Sequence, residues 1–212
     1  MQYDGLPVRR PRIDGLEVRR TKRDLMIVEG LVTTLNADGE LNVAPMGPIV
    51  DDAFSTFLLR PFPTSRTYRN LLTQRCGVFH IVDDVLLLAQ AAIGQLQTLP
   101  PTFPAERVLG QVLRDACRWH EFEVVSIDDT QERVHIETRV VHTGRLRDFF
   151  GFNRAKHAVL EAAILATRLH LIATDDIRRQ MDWLRIPVEK TAGELYNVEF
   201  KTYPMVKDPA KP

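Results

Sequence analysis

Alternating apolar positions dominate the first half of the chain, and helical spacing dominates the second. Residues 25–35, 41–50 and 54–59 read as three consecutive strands, with Val28, Leu31, Val32 and Leu35 supplying apolar positions to the first. Asp38-Gly39 sits between the first two, and glycine's tolerance of positive φ makes it a hairpin turn. Pro61-Phe62-Pro63 ends the third strand. A hydroxyl-rich run then precedes residues 64–72, predicting a helix whose first N–H groups meet a side-chain oxygen. Residues 76–82 alternate like a strand. Residues 105–119 carry apolar side chains at 108, 109, 112, 113 and 116, which predicts a helix with one buried face. Residues 122–127 and 134–142 predict a hairpin across Asp128-Asp129-Thr130. Residues 153–173 form the clearest helix. Thr174-Asp175-Asp176 caps a second, shorter one to about Leu184, where the acids suit the helix dipole. Residues 195–203 read as a last strand. Short strands with covering helices predict a mainly β fold with α additions, a small barrel or curled sheet with a C-terminal helical segment.

The second strand runs into Asn42-Val43-Ala44-Pro45-Met46-Gly47-Pro48. Each proline lacks a donor and fixes φ, so an ordinary ladder cannot continue through this stretch. The chain is expected to bend there and turn backbone polar groups toward something other than a strand. A flat heterocycle rimmed with donors and acceptors is one such partner.

Composition narrows the classes. Lys plus Arg and Asp plus Glu both total 28 in 212 residues, which argues against nucleic-acid binding through bulk phosphate attraction. The apolar runs are too short to span a bilayer, and the N-terminus lacks a secretory pattern. Cys76 and Cys117 match no metal or redox spacing and read as free buried thiols of a cytoplasmic protein. Residues 1–23 hold seven basic side chains with little periodicity and read as a flexible basic leader, with residues 204–212 as a loose tail. Residues 24–150 and 151–203 then divide into a β domain and a helical appendage with the final strand.

A second constellation lies between Arg60 and Asn70. Thr64, Ser65 and Thr67 offer hydroxyls, Arg60 and Arg66 offer guanidinium groups, and a helix starts among them. A phosphate monoester is bound by this combination of helix N–H donors, short hydroxyls and arginine. The bland alternative is plain helix capping by Ser and Thr.

These residues carry a resemblance. GLVTTLNADGELNVAPMGP, followed by a strand and TSRTYRNLLTQRCGVFHIVDD, resembles the FMN-binding split-barrel flavoproteins. Flavin reductases of that superfamily place an Asn-x-Ala-Pro segment beside the isoalloxazine and a Thr-x-x-Asn segment near the ribityl phosphate. Asn42-Val43-Ala44-Pro45 and Thr67-Tyr68-Arg69-Asn70 match them. More narrowly, the chain resembles an archaeal and bacterial family that sets a split barrel before a helical segment like FNRAKHAVLEAAILATRL, over residues 25–203. Met46-Gly47 departs from the reductases, many of which carry an aromatic or small residue and then a serine there.

The resemblance implies a homodimer with FMN in a groove between subunits. Asn42, Ala44, Met46 and Gly47 would meet the ring edge, with Pro45 shaping the bend. Arg60, Thr64, Ser65, Arg66 and Thr67 would hold the phosphate, and Asn70 would face ribityl or phosphate. Asn153, Arg154, Lys156 and His157, basic where helix starts prefer acids, would bind an anionic substrate or the partner's flavin, or else form a solvated face. An oxidoreductase acting on a small molecule, with a nicotinamide or deazaflavin donor, is one reading. A non-catalytic flavin carrier or sensor, and an interaction dimer with an empty groove, are the others. No Ser-His-Asp order or nucleophile elbow is present, and of the six histidines only His157 sits one turn of an expected helix from an acid, Glu161, read as a surface pair. His120-Glu121-Phe122-Glu123 is expected to alternate, polar side to water.

Overall fold

A computed structural model of the protein describes residues 26–130 and 132–193. The leader at 1–23, the strand expected at 195–203 and the tail at 204–212 lie outside these residues. Ten strands and four helices follow in the order β1 Met26–Ile27, β2 Gly30–Leu35, β3 Leu41–Met46, β4 Ile49–Val50, β5 Thr56–Leu59, α1 Arg66–Gln74, β6 Cys76–Ile81, α2 Val85–Ala92, β7 Thr102–Pro104, β8 Gln111–Leu113, β9 Arg118–Asp128, β10 His135–Arg145, α3 Arg154–Ala166 and α4 Thr174–Thr191.

Eight strands form one antiparallel sheet in the order β1-β4-β5-β10-β9-β6-β2-β3, and β7-β8 form a separate ribbon. Val32, Val50, Phe57, Phe79, Phe122 and Ile136 come from six of the eight strands yet meet in one buried cluster. A sheet whose members all reach a common core must curl round its own face. The result is a split half-barrel with C-terminal helices.

The Asp38-Gly39 turn closes β2 onto β3, with Gly39 at φ 81 and the Asn36 side-chain oxygen accepting from the amides of Asp38 and Glu40. The expected break falls later than the first proline. β3 runs through Pro45, opposite Leu31, and the chain turns at Gly47-Pro48. β3 is an edge strand, where proline's missing donor can face away from the ladder. The first expected strand is likewise two: β1 pairs with β4, and β2 pairs with β3 and β6. Gly30 marks the change. A methyl group there would lie 2.3 Å from the His80 carbonyl oxygen and 2.7 Å from the Phe79 ring. Gly30→Ala is expected to lose about 1–3 kcal/mol by overpacking, read as a lowered denaturation midpoint with unchanged slope.

No helix forms at 105–119. That stretch holds the loop after β7, strand β8, a second loop and the start of β9. Glu121 explains the override. Its carboxylate accepts from the backbone N–H of Glu106, Arg107 and Val108 and from Trp119 Nε1, so these amides point at a buried anion. Leu109, assigned to the helix's buried face, is exposed. The expected water-facing side of the 120–123 segment is also overturned: His120 and Glu121 are both buried, and only Glu123 is exposed, paired with Arg139.

Helix α2 has no counterpart in the periodicity, because VLLLAQAA is apolar almost all round. Asp84 caps it, accepting from the amides of Leu86 and Leu87. α3 ends at Ala166 rather than residue 173. α4 begins after Ala173 without a side-chain cap and runs to Thr191 through Pro187, so it is the longer of the two. Ala89 of α2 packs with Ala155, Val159 and Ala162 of α3 and Ile177 and Met181 of α4. Leu88 joins Leu31 and Leu113, fastening this helical layer to the sheet.

Candidate functional site

Ala44, Pro45, Met46 and Gly47 at the end of β3, Arg60, Pro61 and Phe62 after β5, and Ser65 and Thr67 at the start of α1 line a groove of about 290 Å³ together with Arg133. The two stretches singled out from sequence therefore share one hollow. The topology explains why. β5 pairs with β10 and β4, and the chain from Gly47 enters β4 directly.

Ser65 caps α1, its oxygen accepting from the Tyr68 amide at 3.1 Å. The helix therefore starts at the groove, where its first-turn amides give positive partial charge. The Arg60 Nε–H is buried without a hydrogen-bond partner. A buried guanidinium donor left unpaired is costly unless something absent from the polypeptide satisfies it. Arg133 lies across the Phe62 ring, 4.4 Å from its centroid.

Asn42, Thr64, Arg66 and Asn70 do not line the groove. Asn70 is buried and donates to Thr34 Oγ1 at 3.0 Å. Asn42 donates to Thr34 Oγ1 and to Thr67 Oγ1, the latter at 3.1 Å. Both asparagines fix the hydroxyls beneath the groove. Thr64 and Arg66 are exposed beside it. Pro61, Phe62 and Arg133 were not identified from sequence, Arg133 because it belongs to the β9–β10 turn and reaches the site only through the pairing of Ile136 with Leu59.

The second set lies elsewhere. Asn153 caps α3 through the Lys156 amide and donates to the Thr191 carbonyl. Lys156 Nζ donates to the Asp83 carbonyl at 2.7 Å and lies 4.5 Å over the Phe150 ring. His157 Nδ1 meets the Asn153 carbonyl at 2.7 Å, so that nitrogen carries the proton. Arg154 is exposed. Lys156 and His157 line a separate cavity with Glu29. Among the described residues, no three His, Cys, Asp or Glu side chains gather as a metal ion requires, and no helix is long and apolar enough to cross a membrane.

Residues 28–147 match the family model described as the protein of unknown function DUF447, N-terminal domain, and residues 153–195 match the DUF447 model that follows it. The chain belongs to the DUF447 family. The FMN-bound DUF447 protein MM1853 from Methanosarcina mazei is similar, with a TM-score of 0.70 at 23% identity over 83% of this chain and 92% of that one, and it shares the fold. The 2-nitrobenzoate 2-nitroreductase NbaA of Pseudomonas fluorescens is less similar, with a TM-score of 0.47 at 17% identity over 57% of this chain and 64% of that one. The styrene monooxygenase flavin reductase of Pseudomonas putida has a TM-score of 0.46 at 13% identity over 61% and 87%. No curated protein matches the sequence.

Proposed function

We propose that this DUF447 protein binds FMN in the groove and is a cytoplasmic oxidoreductase that passes hydride or electrons to a small-molecule acceptor. The unpaired Arg60 Nε–H beside Ser65, Thr67 and the start of α1 carries the reading. Guanidinium, hydroxyls and helix amides are the donor set for a phosphate monoester. Ala44, Met46 and Gly47 offer backbone edge and small side chains to a planar ring, with Pro45 holding the rim. Asn42 and Asn70 act from below, by orienting Thr67 and Thr34. Arg66 and Thr64 stand at the mouth for the outer phosphate oxygens. The binding of FMN by a protein of the same family and fold supports the choice of flavin.

Bound FMN supplies two-electron chemistry, while the protein supplies position and hydrogen bonds. A groove of about 290 Å³ sits just below the usual range for ligand sites, so one chain covers part of a flavin. A second copy would cover the rest, making a homodimer, and a nicotinamide or deazaflavin would serve as donor. The groove lining contains no carboxylate, imidazole or thiol, which favours a second reading, a flavin carrier or sensor without turnover.

Purified protein mixed with FMN and passed through gel filtration is expected to keep the visible absorption of oxidised flavin at one per chain. A colourless protein overturns the proposal. Arg60→Ala is expected to weaken FMN about 10- to 100-fold, since a charge-assisted hydrogen bond contributes about 1.5–3 kcal/mol. Rapid reoxidation of the reduced, loaded protein by a defined acceptor separates the oxidoreductase from the carrier.

A further inference from the structure

The second cavity, about 240 Å³, is walled by Val28, Ile81, Val85, Leu88, Phe149 and Leu160. It lies between the end of the half-barrel and the helical layer, and its charged and polar lining residues are Glu29, Asp83, Lys156 and His157, of which Asp83 is held by Arg147 and Lys156 by the Asp83 carbonyl. Glu29 also lies beside a residue of the groove wall. A methyl group at Gly47, a groove residue, would sit 2.9 Å from Glu29 Oε1 and 3.1 Å from Oε2. One carboxyl group therefore lines the cavity and packs against Gly47 from outside the groove.

We propose that this cavity is a binding site for a small neutral phenol, whose ring fills the apolar walls and whose hydroxyl meets Glu29 and His157. Size fits a single ring, because an apolar cavity of about 150 Å³ already takes benzene. The walls disfavour a charged ligand, whose desolvation they could not repay. The polar end selects a hydroxyl because it accepts and donates together. His157 Nδ1 is committed to the Asn153 carbonyl, which leaves Nε2 of the neutral ring as an acceptor. Desolvation first, and the Glu161 carboxylate second, push the Glu29 pKa up, while Arg168 and Arg60 pull it down. The hydroxyl has one hydrogen, so it meets both groups with Glu29 in its carboxyl form, accepting from the carboxyl and donating to Nε2.

Phenol binding stands independently of the flavin.

The test is equilibrium dialysis of p-cresol and p-xylene, which differ by hydroxyl against methyl, with flavin-free and FMN-loaded protein. The wild type is expected to bind p-cresol about tenfold more tightly than p-xylene in both forms, the scale of one neutral hydrogen bond at the upper end of its range. Glu29→Met is expected to reduce that preference severalfold while p-xylene still binds, a readout that needs only folded protein. Leu160→Trp is expected to exclude both ligands. Equal binding of the two by the wild type, or binding of neither, overturns the phenol site even when FMN is retained. Binding of p-cresol by protein that retains no FMN overturns the groove reading and leaves the phenol site standing.

Discussion

Glu121→Ala is expected to lower stability by about 4 kcal/mol, at the upper end of what one substitution does. Glu121 is 0% exposed, and each carboxylate oxygen accepts twice. Oε1 takes the Glu106 amide at 2.9 Å and Trp119 Nε1 at 3.1 Å, and Oε2 takes the Arg107 amide at 2.6 Å and the Val108 amide at 3.1 Å. Truncation strands four donors around a cavity, and an unsatisfied buried donor costs about 1–3 kcal/mol before any loop relaxation brings in water. For a chain of this size the melting temperature should fall by roughly 10 °C. Glu121→Gln is expected to do nearly as much damage, since its amide NH₂ faces two N–H groups that had an acceptor. The backbone N–H donors hold the folded pKa of Glu121 down against desolvation. Its contribution is therefore present above the unfolded carboxylate value and is lost as pH falls through the depressed one. FMN retention at low temperature should be unchanged in Glu121→Gln, because Glu121 and the amides it holds do not line the groove. A melting temperature within a degree or so of wild type would remove Glu121 as the organiser of this loop.

The same residue shows where sequence reasoning stops. Short apolar runs bounded by turn residues located β2, β3, β5 and β6, although β2 and β6 are buried along nearly their whole length and only β5 alternates, and the Asp38-Gly39 signal is a local property of the backbone. The helix expected at 105–119 failed because spacing records which residues are apolar, not where their amides go. A carboxylate at 121 captured three of those amides, and that contact depends on β9 lying beside β6. VLLLAQAA gave no period because α2 is sandwiched between α3 and the sheet. At the groove, Pro45-Met46-Gly47, Ser65 and Thr67 were legible from chemistry, while Arg66 stands exposed beside it. Arg133 and Phe62 were not, because only the β5–β10 pairing brings them across. Gly47 was read as a bend, whereas its lack of a side chain also leaves room for the Glu29 carboxylate.

Asp83→Asn is expected to cost about 2 kcal/mol at neutral pH and to remove an acid-dependent part of the stability. Asp83 lies just past β6, and its carboxylate takes both arms of Arg147, Oδ1 at 2.6 Å and Oδ2 at 2.9 Å, plus the Phe150 amide at 2.7 Å. Arg147 also donates twice to the Asp115 carbonyl, through Nε at 3.1 Å and Nη2 at 2.7 Å. This pair straps the segment between β10 and α3 to the rim of the barrel, and Phe149 and Gly151 in that segment line the second cavity. The Arg147 hydrogen bonds come first in holding the Asp83 pKa down to about 2 from 3.8, against desolvation, and Arg147 remains charged throughout. That fall corresponds to roughly 2 kcal/mol of linkage. The folded pKa is depressed, so this stability is complete above the unfolded value and drains away as pH falls toward about 2. Denaturant midpoints taken between about pH 6 and pH 3 should fall less steeply for Asp83→Asn than for the wild type, so the two curves converge in acid. The cavity wall gives the substitution a second consequence. With Phe149 and Gly151 released, p-cresol and p-xylene should both bind more weakly while their ratio persists, because Glu29 and His157 are untouched. Parallel stability curves for the two proteins would mean that the strap contributes through packing and not through charge.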